Sequence, residues 1–208
     1  MKKIWLLIVF IFFNCKSQNT TITKEKINIS KYKNYELHPG VLDNPKSDAH
    51  FYLHNNKEIQ FYQNDKIISV QKNKKDSPYK SQKLYSKKTL MLVREQTQFY
   101  NFCIGITKIY DENGKLTGTI NCDEKYRFTI NQLIEKLKKD YKVDFSTRKG
   151  SGRGIERNYI NGKDCYNVRI NLGTSAKSGT KNIVIDGNNG EVISESNHQY
   201  NDENDQRI

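Results

Sequence analysis

The hydrophobic period of this chain turns helical in a single stretch, and that change limits the folds open to it. In residues 127–145, RFTINQLIEKLKKDYKVDF, the apolar positions Ile130, Leu133, Ile134, Leu137 and Tyr141 recur at helical spacing and form one stripe. The start of this helix is chemically marked. Thr129 can cap it, Gln132 three residues on completes a capping box, and Phe128 can staple onto Leu133. Lys136, Lys138 and Lys139 gather toward the other end, where the helix dipole favours cations. On both sides, short aromatic and β-branched runs alternate with turn-forming Asn, Asp and Gly. The expected class is therefore α+β: an antiparallel β-meander over 49–124, then one amphipathic helix packed on a second antiparallel sheet over 125–197.

The turns place the strands. HFYLHNNKEIQFYQNDKIISVQ, residues 50–71, reads as three strands joined at Asn-Asn-Lys and Asn-Asp-Lys. The next twelve residues, KNKKDSPYKSQK, read as a lysine-rich insert, and TLMLVREQTQFYNFCIGITKIY, 89–110, as a second strand-rich block. Asn113-Gly114 closes it, with the tolerance for positive φ that a type I′ hairpin turn requires, and Asn161-Gly162 repeats the signal after the helix. The segment GITKIYDENGKLTGTI, 105–120, resembles one MORN-type unit of the YwqK family of bacterial proteins. Gly105, Lys108, Tyr110, Asn113, Gly114 and Leu116 fall in its places. EIQFYQNDKIISV, 58–70, is similar to a degenerate copy in which Asp65 replaces the turn glycine. The resemblance implies a β-meander serving as scaffold or contact surface.

The first fifteen residues, MKKIWLLIVFIFFNC, set Lys2 and Lys3 before an apolar run from Ile4 to Phe13, too short for a comfortable permanent span. Cys15 stands where signal peptidase would cut, and the whole resembles a bacterial lipoprotein signal in the loose form of Bacteroidetes, with Phe12 and Asn14 departing from the strict lipobox. The resemblance implies that Cys15 is the mature N-terminus and carries palmitate-type lipid. Each buried methylene contributes about 0.8 kcal/mol to such an anchor. The alternative is a plain secretory signal with an incidental cysteine. Residues 16–48 read as a polar tether and irregular lead-in, and 198–208 as a polar tail. Lipoproteins of this group sent to the cell exterior carry acidic residues after the cysteine, whereas Lys16-Ser17-Gln18 follows here, so the expected address is the periplasmic side of the envelope.

A net charge of +12 invites a nucleic-acid reading. The cations are mostly lysines scattered among asparagines, however, with no recognition motif, and an exported protein meets little nucleic acid. Solubility and attraction to anionic lipid or acidic partners account for them better. Beyond Cys15 stand Cys103, Cys122 and Cys165, an odd number in a compartment that permits disulfides. Their spacing matches neither CxxC nor a zinc pattern, and leaves buried thiols or one bridge open.

IVIDGNNGEVI, residues 183–193, poses the question of a calcium loop. Counted from Asp186, Gly190, Glu191 and Asn197 fall where an oxygen ligand, a glycine and a bidentate glutamate belong, so the pattern fails. A turn needs only Asp and Asn to bond nearby backbone, with Gly187 and Gly190 free to take positive φ. Helix, then Tyr166 and Val168, then Ile183, Ile185 and Asp186, then Gly190, Glu191 and Val192 is similar to the PepSY domain of exported bacterial proteins. That resemblance spans about Phe128 to Glu195 and implies a small α+β module associated with binding or inhibiting peptidases and other exported partners. It implies no catalytic residue.

No catalytic, cofactor or metal spacing emerges. His50 and His54 share a strand face but sit about 13 Å apart by backbone rise, too far for one ion. His38 precedes a proline, His198 sits in the tail, and the glycines of STRKGSGRG lack the Gly-Lys-Ser/Thr of a phosphate loop. The leading expectation is a membrane-tethered, non-enzymatic envelope protein that contacts another envelope or secreted protein, in an inhibitory or immunity role. Its rival is an envelope hydrolase or cell-wall enzyme whose site assembles only in three dimensions, and a third reading is sensing of lipid or an acidic polymer.

Overall fold

The computed structural model describes residues 21–32, 49–54, 56–148, 153–173 and 179–199. Cys15 and His38 lie outside them, as does the side chain of His50. Among the described residues antiparallel sheet dominates and one α-helix accompanies it, an α+β architecture. The first sheet contains β1 (Ala49–His54), β2 (Lys57–Gln63), β3 (Ile67–Lys74), β4 (Tyr79–Ser86), β5 (Leu92–Phe99), β6 (Phe102–Tyr110) and β7 (Leu116–Asn121). Chain neighbours pair throughout, in the order β1 to β7.

Tyr79–Lys83 does not end a lysine-rich insert, as its composition suggests, but opens the central strand β4, which pairs with β3 and β5. Its first half is polar on both faces, so hydrophobic alternation could not reveal it, and ladder pairing on both sides sustains it. The turn at Asn113-Gly114 is not type I′, because of the pair only Gly114 has positive φ, at 81°. Asp111 organises it instead: its carboxylate accepts from the N–H groups of Asn113 and Lys115, each at 2.9 Å. Asn161-Gly162, at φ 50° and 81°, does form the expected tight turn.

One end of the sheet carries its own core: Ile59, Phe61, Ile68, Val70, Tyr85, Leu92 and Tyr110, closed over by Ile27 and Tyr32. Residues 21–32, inside the stretch read as tether and lead-in, are thus bound to the sheet. Backbone bonds fix them: Leu116 N–H to Thr21 O at 2.9 Å, Thr23 N–H to Gly114 O at 2.8 Å, and Leu92 N–H to Glu25 O at 3.0 Å. Gly114 permits this docking, since a Cβ there would stand 2.0 Å from Thr23 O.

The second sheet has the order β11-β10-β9-β8, from β8 (Gly154–Ile160), β9 (Lys163–Leu172), β10 (Gly179–Asp186) and β11 (Val192–Gln199). Helix α1 (Ile130–Tyr141) lays Leu133 and Leu137 against Tyr166, Val168, Ile183 and Ile185, all fully buried. Phe99 and Tyr100, from the end of β5 and the turn after it, belong to the same cluster, so the boundary near residue 124 divides the chain but not the packing. The helix begins as its sequence requires, with the Thr129 hydroxyl accepting from Gln132 N–H and the Gln132 side chain accepting from Thr129 N–H at 2.8 Å. Replacing Thr129 by Ala is expected to cost about 1 kcal/mol, read as a lower urea midpoint with unchanged slope.

Candidate site at the junction of the two sheets

Where β6 and β7 end, Cys103 and Cys122 form a disulfide across a Cα separation of 5.8 Å. The register brings them together: Ile106 pairs with Asn121, and Cys122 N–H donates to Gly105 O at 2.9 Å. Gly105, at φ 66°, lies where the β5–β6 register shifts, and its N–H turns to Asp123 Oδ2 at 2.7 Å. Three acceptors thus converge beyond the strand ends: the carbonyls of Cys103 and Cys122, and Asp123 Oδ1.

Arg157 of β8 fills that convergence. Its Nη1 donates to Cys103 O at 3.1 Å and Cys122 O at 2.8 Å, and its Nη2 to Asp123 Oδ1 at 2.7 Å and the Tyr166 hydroxyl at 3.3 Å. Only 9% of the side chain is exposed. The guanidinium lies 4.0 Å from the ring centroid of Tyr126, 4.8 Å from that of Phe102 and 5.5 Å from that of Tyr166, so three aromatic rings surround a buried, delocalised cation. Tyr166 extends the network by donating to Phe128 O at 2.8 Å. Burial pushes the Tyr126 and Tyr166 phenols up, which keeps both neutral at physiological pH.

The stretch 186–191 supports this arrangement. Gly190 takes φ 76° as the turn reading requires, but Gly187 is a glycine for another reason. A Cβ on it would stand 2.6 Å from the Tyr126 ring and 2.7 Å from Asp164 O, and one on Gly190 would stand 2.5 Å from the Phe128 ring. The two glycines therefore let the segment entering α1 lie against the turn. Asp186 ties the turn internally, accepting from Asn188 N–H at 2.8 Å and from Lys163 Nζ at 2.9 Å. Those bonds, the Asn188 N–H foremost, hold its carboxyl below the usual carboxylate range. A depressed folded pKa contributes stability above about pH 4 that is lost as pH falls through the folded value. In urea titrations from neutral to strongly acidic pH, Asp186→Asn is expected to flatten that acid limb.

Beside this latch of Arg157 on Asp123 and the two cysteine carbonyls is a cleft of about 220 Å³ between Tyr79, Ile104, Tyr126 and the start of α1, with Asp123 and Arg157 in its wall and Asn131 exposed at its mouth. Both carboxylate oxygens of Asp123 are engaged, and the cleft presents shape, aromatic surface and fixed dipoles. The remaining thiol among the described residues, Cys165, is buried; its Sγ donates to Lys163 O at 3.5 Å, and burial pushes its pKa up, keeping it protonated. His54 ends β1 and His198 lies on β11. Among the described residues, no three or more His, Cys, Asp and Glu side chains cluster to hold a metal ion, and no helix is long and apolar enough to cross a membrane. Arg157, Asp123 and Tyr126 escaped the sequence reading, because they are divided between the stretch after β7 and strand β8 and carry no motif. No family model, curated protein or solved structure matches this chain.

Proposed function

We propose that this chain is a membrane-tethered, non-enzymatic binding protein of the bacterial envelope, facing the periplasm and acting by contact with another envelope or secreted protein. In this reading a meander scaffold of MORN-like character and a PepSY-like module present the junction cleft between them. The observation that carries the proposal is that cleft. It is concave, lined by tyrosines and an arginine, and sits at a seam between two sheets, where binding sites concentrate. Tyr and Arg dominate the energetics of protein contacts, and a site held by a disulfide and an ion pair orders little on binding. The cleft has room for one or two partner side chains.

Affinity capture of the tagged, lipidated protein from envelope extract tests the proposal when paired with Asn131→Trp, whose indole would close the mouth. A partner retained by wild type and lost by this variant, at equal thermal stability, is the expected result. Equal capture by both would remove the cleft from the account. The anchor is tested separately by labelling with a palmitate analogue, expected on the wild type and lost in Cys15→Ala.

A further inference from the structure

We infer that the face of the first sheet turned away from Ile59, Phe61 and Val70 is a binding site for a neutral glycan. Gln60, Gln71, Gln82 and Gln96 stand directly opposite one another on β2, β3, β4 and β5, forming an amide ladder across four strands. Neither core cluster takes a residue from this row. Gln82 Oε1 accepts from Gln96 Nε2 at 2.6 Å and from Gln98 Nε2 at 3.1 Å, and its Nε2 donates to Ser69 Oγ at 3.3 Å. That fixes one end of the ladder. At the other end, the Gln60 and Gln71 amides make no side-chain hydrogen bond among the described residues, leaving a donor and an acceptor on each.

The face is hollow. Ser69 is only 7% exposed although it lies on it, and a cavity of about 330 Å³ opens between Gln60, Tyr62, Gln71 and Leu84. Such a volume is at the low end of the roughly 300–1,000 Å³ of small-ligand sites, enough for a short oligosaccharide segment but not a folded domain. Its lining carries no charged residue, in a chain of which 28% is charged. Glu58, Lys80 and Arg94 share the face but stand outside that lining, so within the cavity a charged ligand meets no counter-charge, and an apolar one would strip water from unpaired amides. Hydroxyl and N-acetyl groups can both donate and accept, as glutamine amides do, and Tyr62, 40% exposed, offers a ring against which the apolar face of a sugar can rest. A bound peptide strand fits less well, because its backbone donors lie in the plane of a sheet and are read at an edge rather than on a face.

The test uses the full mature chain with isotope-labelled glutamine side chains, titrated with N-acetylglucosamine trimer, maltotriose, polyglutamate and an uncharged octapeptide. Saturable shifts of the Gln60 and Gln71 amides by a neutral glycan are expected, unchanged in about 0.5 M salt. Gln71→Ala and Gln60→Ala are each expected to weaken binding about tenfold. Two variants are used so that failure of one to fold leaves the other decisive. The cleft variant Asn131→Trp is expected to bind glycan as wild type does, which separates this site from the junction cleft. No saturable response to either glycan, a response to the octapeptide or polyglutamate alone, or glycan binding unmoved by both glutamine variants would overturn the inference.

Discussion

Replacing Arg157 by alanine is expected to lower the unfolding free energy by about 3 kcal/mol, the low end of what removing one partner of a buried ion pair costs. The lower end applies because Asp123 is 40% exposed, so water can solvate its abandoned carboxylate. The carbonyls of Cys103 and Cys122 lose their Nη1 donor at the same time, and Tyr126, Phe102 and Tyr166 lose the cation between their rings. Arg157→Lys is expected to recover less than half of the loss. A single ammonium can satisfy one or two of these acceptors but cannot span two carbonyls, a carboxylate and a stacked ring in one plane. Urea unfolding of the wild type, both variants and Asp123→Asn gives the measurement, and the cycle with Asp123→Asn isolates the pair. A loss under 1 kcal/mol for Arg157→Ala would mean that the two sheets hold together without the latch.

Opening the disulfide should cost about as much by a different route. A bridge between residues 19 apart in sequence limits the unfolded chain, and loops of that length correspond to about 3 kcal/mol. For a chain of this size, that is a fall in Tm of roughly 6–12 °C on reduction or in a Cys103→Ser/Cys122→Ser variant. The two devices share residues, since both bridged cysteines supply carbonyls to Arg157. Their effects are therefore not expected to add. With the bridge absent, the ends of β6 and β7 can move apart and Arg157 has less to lose, so Arg157→Ala should cost about 1 kcal/mol less in that background. Strict additivity would show that the carbonyl pair keeps its position without the covalent link.

The helix was legible because every local signal agreed: Thr129 and Gln132 as cap, a stripe from Ile130 to Tyr141, lysines toward the end. Most strands were legible from their turns. β4 was not, since Tyr79, Ser81 and Lys83 alternate with Lys80 and Gln82 and neither set is apolar. The role of Gly187 was misread because positive φ is a local property, while its proximity to Tyr126 depends on a segment some sixty residues earlier in the chain. The glutamine ladder was invisible for a similar reason: glutamines one per strand mean nothing until the register sets them opposite one another.

By itself, then, the sequence determined the class and most of the elements, for periodicity, capping and turn chemistry act over a few residues and do not depend on where the rest of the chain lies. Tertiary structure alone decided that the two sheets share a core, that Cys103 meets Cys122, and that Arg157 is enclosed by rings and acceptors from β6, the segment after β7, and β9. Those outcomes depend on strand register and the crossing of distant segments, which many different sequences of the same pattern would settle differently.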